Sequence, residues 1–175
     1  MAIEINTKVS VGETYGKKVA NITLEDAKFF GRPNFSGVED RFKDSRRKFT
    51  VLIPNEVADQ LRDMGWNVKT NIPTQEELAE FPDREPLSHL KVMVDVPKED
   101  GSGGSLVQIR MGDNVETLTV GNLGVVDRSR IETMDMELRA WEYDRDERPG
   151  QYSARLVALV ANIRPNILEQ KYGML

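Results

Sequence analysis

Five of the eight residues from Arg41 to Lys48 are basic (Arg41, Lys43, Arg46, Arg47, Lys48), with Phe42 inside the run and Phe49 just after it. Cationic groups at this density can hold phosphates, and flat rings among them can stack bases. The plainer alternative for such a run is a solvated surface loop. The wider block from Lys28 to Phe49 carries seven basic residues against three acidic ones, a balance of +4. A second group is Arg139, Trp141 and Tyr143, spaced by two. On a strand these three project from one face, about 7 Å apart, and an arginine beside large rings makes a stacking platform for single-stranded nucleic acid. The alternative is that Trp141 and Tyr143 cover a small second core beneath the segment 55–82. Asp135 and Glu137 share that face and could ligate a metal, although such carboxylates are usually just solvated.

The elements that must position these residues are mostly strands. In 131–143, Met134, Met136, Leu138 and Ala140 alternate with the polar and aromatic set, so they face a core and the others face outward. Residues 18–30 read as a first long strand ending in Phe29 and Phe30, and 31–45 as a loop rich in Gly, Pro, Asn and Ser. Lys48–Ile53 is a strand with Phe49, Val51 and Ile53 on one face. Asn55 is placed to cap a helix carrying Val57, Ala58, Leu61 and Met64 that stops at Gly65. Thr74-Gln75-Glu76-Glu77 has capping-box spacing for a second short helix, ended by Pro82. Trp66 is expected to anchor the first helix on the core. His89–Val96 alternates with Leu90, Val92, Val94 and Val96 inward, Lys98–Ser105 is a flexible hairpin tip, and Leu106–Met111 returns with Arg110 on its polar face. In Tyr152–Ile163 both faces are apolar, which predicts burial on both sides. The sum is one mainly β domain over 1–175, a small antiparallel β-barrel with short helices inserted in the connections. Its parts are an N-terminal extension (1–17), a helical insertion (55–85) and a C-terminal tail (165–175).

Composition closes other classes. The 175-residue chain has 24 Lys plus Arg and 29 Asp plus Glu, a net charge of −5. That total misleads, because the stretch 74–100 alone holds eight acidic and three basic residues. With no Cys, thiolate catalysis, disulfides and Cys-based zinc sites are excluded, and a single histidine, His89, excludes a multi-His centre. The glycines at 101, 103 and 104 lead into a strand without a Lys-Ser/Thr ending, so they make no phosphate loop. No nucleophile stands beside a base, and no cofactor is expected. No apolar run approaches the ~20 residues of a membrane span, and no secretory signal is expected at MAIEINTKVS.

Several segments resemble the bacteriophage single-stranded DNA-binding proteins with an OB-type barrel. They are, in order, Asn21–Lys28, Asn34-Phe35-Ser36-Gly37, Arg46–Ile53, Gly65-Trp66-Asn67-Val68-Lys69, Leu90–Val94, Ile131–Arg139 and Tyr152–Leu156. The resemblance implies that the barrel is an OB-like antiparallel β-barrel, and that the protein is non-enzymatic and coats single strands without strong sequence preference during phage DNA replication or recombination, in the cytoplasm of the infected host. Carried onto this sequence, it makes Arg32, Arg46, Arg47 and Lys48 phosphate-facing and Phe35, Phe42, Trp141 and Tyr143 base-facing. Arg41, Lys43, Arg110 and Arg139 complete the expected contact set. Gly31 stands where the family has a larger residue, Pro33 looks inserted, and Trp141 then Tyr143 reverses the family's usual Tyr-then-Trp order. The last residues, Lys171–Leu175, are not acidic, so recruitment of partners through an acidic tip is not expected. Beyond single-stranded DNA, a homodimer and other phage replication or recombination proteins stand open as partners; a membrane does not. Two other readings compete. One is a virion or assembly module that binds protein, favoured by the acidic total. The other is a metal-dependent nuclease using Asp135 and Glu137.

Overall fold

Alternating apolar residues give this chain its strands, and one sheet collects them. The computed structural model describes residues 5–12, 19–39, 43–98, 100, 103–142 and 151–164. In chain order its elements are β1 (Lys8–Val11), β2 (Ile22–Glu25), β3 (Lys48–Ile53), α1 (Asn55–Asp63), β4 (Val68–Asn71), α2 (Gln75–Glu80), β5 (Leu87–Met93), β6 (Leu106–Met111), β7 (Asn114–Thr117), α3 (Val125–Arg128), β8 (Ile131–Glu142) and β9 (Tyr152–Ile163). Strands β1, β2, β8, β9, β5 and β3 lie side by side, with β4 on β5, β6 on β9 and β7 on β6. The sheet curls, and residues 28–34 bridge back to β3 through Phe29–Val51 and Asn34–Lys48. Since those residues continue from β2, the curl closes on itself as an OB-like barrel.

The first expected strand is broken in two. β2 ends at Glu25; Asp26 follows with a φ of +55° that turns the chain, and its N–H donates to the Asp135 carboxylate at 3.0 Å. Between the two bridges to β3 the first segment advances five residues, from 29 to 34, while β3 advances three, from 48 to 51. This bulge takes up Gly31 at φ +79° and Pro33, a residue with no N–H to give a ladder. Both departures from the family pattern therefore fall in one local feature.

The barrel is not wholly antiparallel. β9 runs parallel to β5 at Val92–Ala154 and Met93–Arg155, and parallel to β6 from Leu106–Ala158 to Arg110–Asn162. β5 and β6 thus lie end to end on one edge of β9, and the expected hairpin between them is not formed. The chain leaves at Asp95 and returns at Ser105. The Ser105 N–H donates to the Asp95 carbonyl at 2.8 Å, and the Ser105 hydroxyl donates to the Leu156 carbonyl at 2.6 Å. Gly104 sits at this closure with φ +63°, where a Cβ would meet the Val96 carbonyl oxygen at 2.6 Å. β5 stops at Met93, which leaves Val96 exposed instead of inward.

Expected two-sided burial of β9 is corrected too. Glu137 pairs with Ala158 but Leu138 pairs with Leu156, so Val157 is an extra residue in the ladder. A bulge of this kind swaps faces: Ala154 and Leu156 point inward before it, Leu159 and Ala161 after it, and all are buried. On β8, Met134, Met136 and Leu138 are buried as the alternation requires. α1 begins one residue earlier than the cap reading: Pro54 occupies the cap position, and Asn55 donates its amide to the Pro86 carbonyl (2.8 Å). Thr74 does cap α2, accepting from the Glu77 N–H at 3.2 Å. Trp66 lies in the core with Ala58 and Leu61 of α1, as the sequence predicted. No helix among the described residues is long and apolar enough to cross a membrane.

Candidate nucleic-acid interface

Register lines up a row of cations across the outside of the barrel. Lys48 of β3 pairs with Met93 of β5, Met93 with Arg155 of β9, and Arg155 with Arg139 of β8. Partners across a sheet point to the same side, and the flanking residues Phe49, Val92, Ala154 and Leu138 are buried, so this row faces out. Trp141, two residues beyond Arg139, shares the outward face and is 48 % exposed. The guanidinium carbons of Arg155 and Arg139 lie 4.6 and 5.2 Å from the Trp141 ring centre. Each such contact is worth about 0.5–1 kcal/mol at an exposed site, enough to orient the indole. Asp95 fixes the two forks from the other side, accepting from Arg155 Nη1 at 2.6 Å and Arg139 Nη2 at 3.1 Å. The buried Arg155 Nε–H has no acceptor among the described residues. The groove at this point measures about 650 Å³ and is lined also by Val94, Val96 and Gly104.

At the β3 end of the row, Asp44 accepts from Arg46 at 2.9 Å and is ion-paired with Lys48. Hydrogen bonds from Arg46 and then Lys48 hold its carboxyl well below the usual range. Lys91, two residues from Met93 on the same face of β5, has its pKa pushed down, first by burial and then by Lys48, Arg46 and Lys69. Like charges crowded enough to perturb one another form a concentrated positive field, which draws in a polyanion.

The other expected contact residues divide. Arg32 is exposed on the Gly31 bulge, and Lys43 is exposed with φ +60°. Phe35 is corrected: at 0 % exposure it lies in the core, stacked on Phe49 with centroids 5.3 Å apart. It cannot offer a face to a base there, because the segment it belongs to is pulled inward by the Asp127 carboxylate, which accepts from the N–H groups of Phe35 and Ser36 at 2.8 and 3.0 Å. Arg47 is turned to the same loop, donating to the carbonyls of Phe35 (2.9 Å) and Ser36 (3.4 Å). Arg110 pairs with Asn162, seven residues along β9 from Arg155, roughly 23 Å away at strand rise. It is not part of the row. Arg41, Phe42 and Tyr143 lie outside the described residues. Asp135 and Glu137 have structural partners, the Asp26 N–H and the Asn21 side-chain amide (3.2 Å), and no metal-binding group of three ligands is found among the described residues.

Arg155, Lys91 and Lys69 were missed by sequence reasoning. The signal for Arg155 was available: pairing 131–143 with 152–163 as a hairpin puts it beside Arg139. Lys91 and Lys69 needed the β3–β5–β4 register, which no local pattern encodes.

A curled barrel whose outer face sets an exposed indole beside two guanidinium groups, with lysines continuing the line, has the make-up of an OB-type single-strand-binding protein. The family described as "Putative phage ssDNA-binding domain" matches residues 12–175. The chain belongs to that family. Among curated proteins no sequence match is found. Among solved structures, the C-terminally truncated single-stranded DNA-binding protein from bacteriophage Enc34 is similar at 11 % identity and a TM-score of 0.45, covering 91 % of this chain and 97 % of that one. The same phage's protein in complex with ssDNA is similar at 10 % identity and a TM-score of 0.42, with coverage of 91 % and 97 %.

Proposed function

We propose that this chain coats and protects single-stranded DNA, without strong sequence preference, during phage DNA replication or recombination in the cytoplasm of the infected host. The observation that carries the reading is the row Lys48–Met93–Arg155–Arg139 with Trp141 beside it. Backbone phosphates lie along the cations while bases stack on the indole. Every base has a π-face, so stacking of this kind tolerates any sequence. The role is non-catalytic: Asp135 and Glu137 are engaged in the fold.

Titration with oligothymidine, followed by tryptophan fluorescence, tests this directly. Trp141 is exposed and Trp66 is buried, so the expected result is partial quenching that weakens with salt, at a log–log slope of about −0.7 per phosphate neutralised. Unchanged fluorescence and anisotropy at low salt would refute the proposal and favour a protein-binding module.

A further inference from the structure

We infer that Phe30 and His89 form a second base-stacking subsite, which takes a nucleotide of the same single strand beyond the one held at Trp141. The inference rests on the single-strand reading above. The two rings are parallel within 7°, with centroids 4.8 Å apart, and both are half-buried. His89 follows Met93 and Lys91 on the outer face of β5, four residues or about 13 Å from the cation row. Phe30 reaches it from the bulged segment, whose backbone is fixed by the Phe30 N–H donating to the Thr50 carbonyl at 2.8 Å.

Part of the pair's work is local. Leu52 pairs with His89 in register and is buried although its strand position faces outward. Covering one leucine would be met by any apolar pair, however, and it does not account for the charge around the rings. Lys69 of β4 pairs directly with His89, Lys91 stands two residues on, and Lys48 of β3 and Arg46 just before that strand act on Lys91, opposed in part by Asp44. Gathering these cations raises their mutual repulsion, which phosphates relieve. Phe30 also borders a groove of about 470 Å³ lined by Asn71, Ile72, Pro73 and Leu87 together with Glu77, Glu85 and Arg84, the last ion-paired with Glu77 at 2.7 Å. Ile72 is 76 % exposed there. The groove takes a base against Phe30, while the phosphate belongs on the Lys69 and Lys91 side of the His89 ring, away from Glu77 and Glu85.

The test compares thymidine oligomers of about 4 and about 16 nucleotides, the ends of the range for one OB fold. Phe30→Ala should weaken the long oligomer about tenfold and leave the short one nearly unchanged, whereas Trp141→Ala should weaken both. A folded Phe30→Ala protein that binds the long oligomer like the parent overturns the inference. Photo-crosslinking of the parent protein to a long oligomer carrying halogenated uracil decides the matter even if that variant fails to fold. Crosslinks at Phe30 or His89 as well as Trp141 support the subsite, and crosslinks at Trp141 alone overturn it. If the parent binds neither oligomer, the single-strand reading itself fails, and the subsite with it.

Discussion

Arg155 holds its guanidinium carbon 4.6 Å from the centre of the Trp141 ring, although the two residues belong to different strands and pair with different partners across β8 and β9. The contact orients an exposed indole, and exposure sets the two tryptophans of the chain apart. Trp141→Ala removes a stacking surface and should weaken single-stranded DNA binding by ~1–3 kcal/mol with little change in melting temperature. Trp66→Ala removes a core side chain that is 2 % exposed and should cost ~3–5 kcal/mol of stability. Paired fluorescence titrations and thermal melts check this, and equal affinity losses would show the platform lies on another element.

Asp95 accepts from both Arg139 and Arg155, and on the proposed function a phosphate of the bound strand would compete with it for the two forks. Half-exposed ion pairs of this sort contribute about 0–1 kcal/mol, so exchanging the carboxylate for a phosphate costs little. Asp95→Asn should therefore tighten binding several-fold and hardly affect stability. Weaker binding of Asp95→Asn, read by anisotropy at fixed salt, would mean that the carboxylate aims the two forks and does not mask them.

Within one short basic run, the structure separates roles that side-chain type cannot. Arg46 and Lys48 face outward beside Asp44, whereas Arg47 donates to the carbonyls of Phe35 and Ser36. Arg46→Gln and Lys48→Gln should each reduce the salt slope of binding by about 0.7 for one lost phosphate. Arg47→Gln should leave that slope nearly intact and lower stability by ~1.5–3 kcal/mol, the worth of hydrogen bonds to a charged group. Salt titrations and chemical denaturation of the three variants separate the two outcomes.

The same residues show what could be read beforehand. Alternation in 131–143 fixed the inward Met134, Met136 and Leu138 and the outward Arg139 and Trp141, because a strand has only two faces and one must be dry. Phe35 defeated that kind of reading. Its neighbours Asn34, Ser36 and Gly37 mark a loop, and nothing local reveals that Asp127, far along the chain, draws the loop inward. β9 was misread for a related reason: the extra residue Val157 exists only relative to β8, so a single strand's pattern cannot disclose it. The cation row likewise depends on four strands in register, a property of the sheet and not of any one segment.

His89 gives the chain a single histidine with which to feel mild acid. Burial and then the nearby Lys69 push its pKa below the ordinary value of 6.5, so the fold prefers the neutral ring. The unfolded chain binds the proton first. Stability from this group is thus fully present above about 6.5 and is lost as pH falls through the lowered folded value. Phe30 keeps its stacking partner in a His89→Phe variant, which should lose less stability between pH 7 and pH 5. Binding should move the opposite way: phosphates beside the ring would raise its pKa, so affinity for oligothymidine should increase as pH falls across the same interval. Denaturation and anisotropy series on the parent and His89→Phe proteins measure both slopes. A binding slope shared by the two proteins would place the titrating group elsewhere, away from the Phe30–His89 stack.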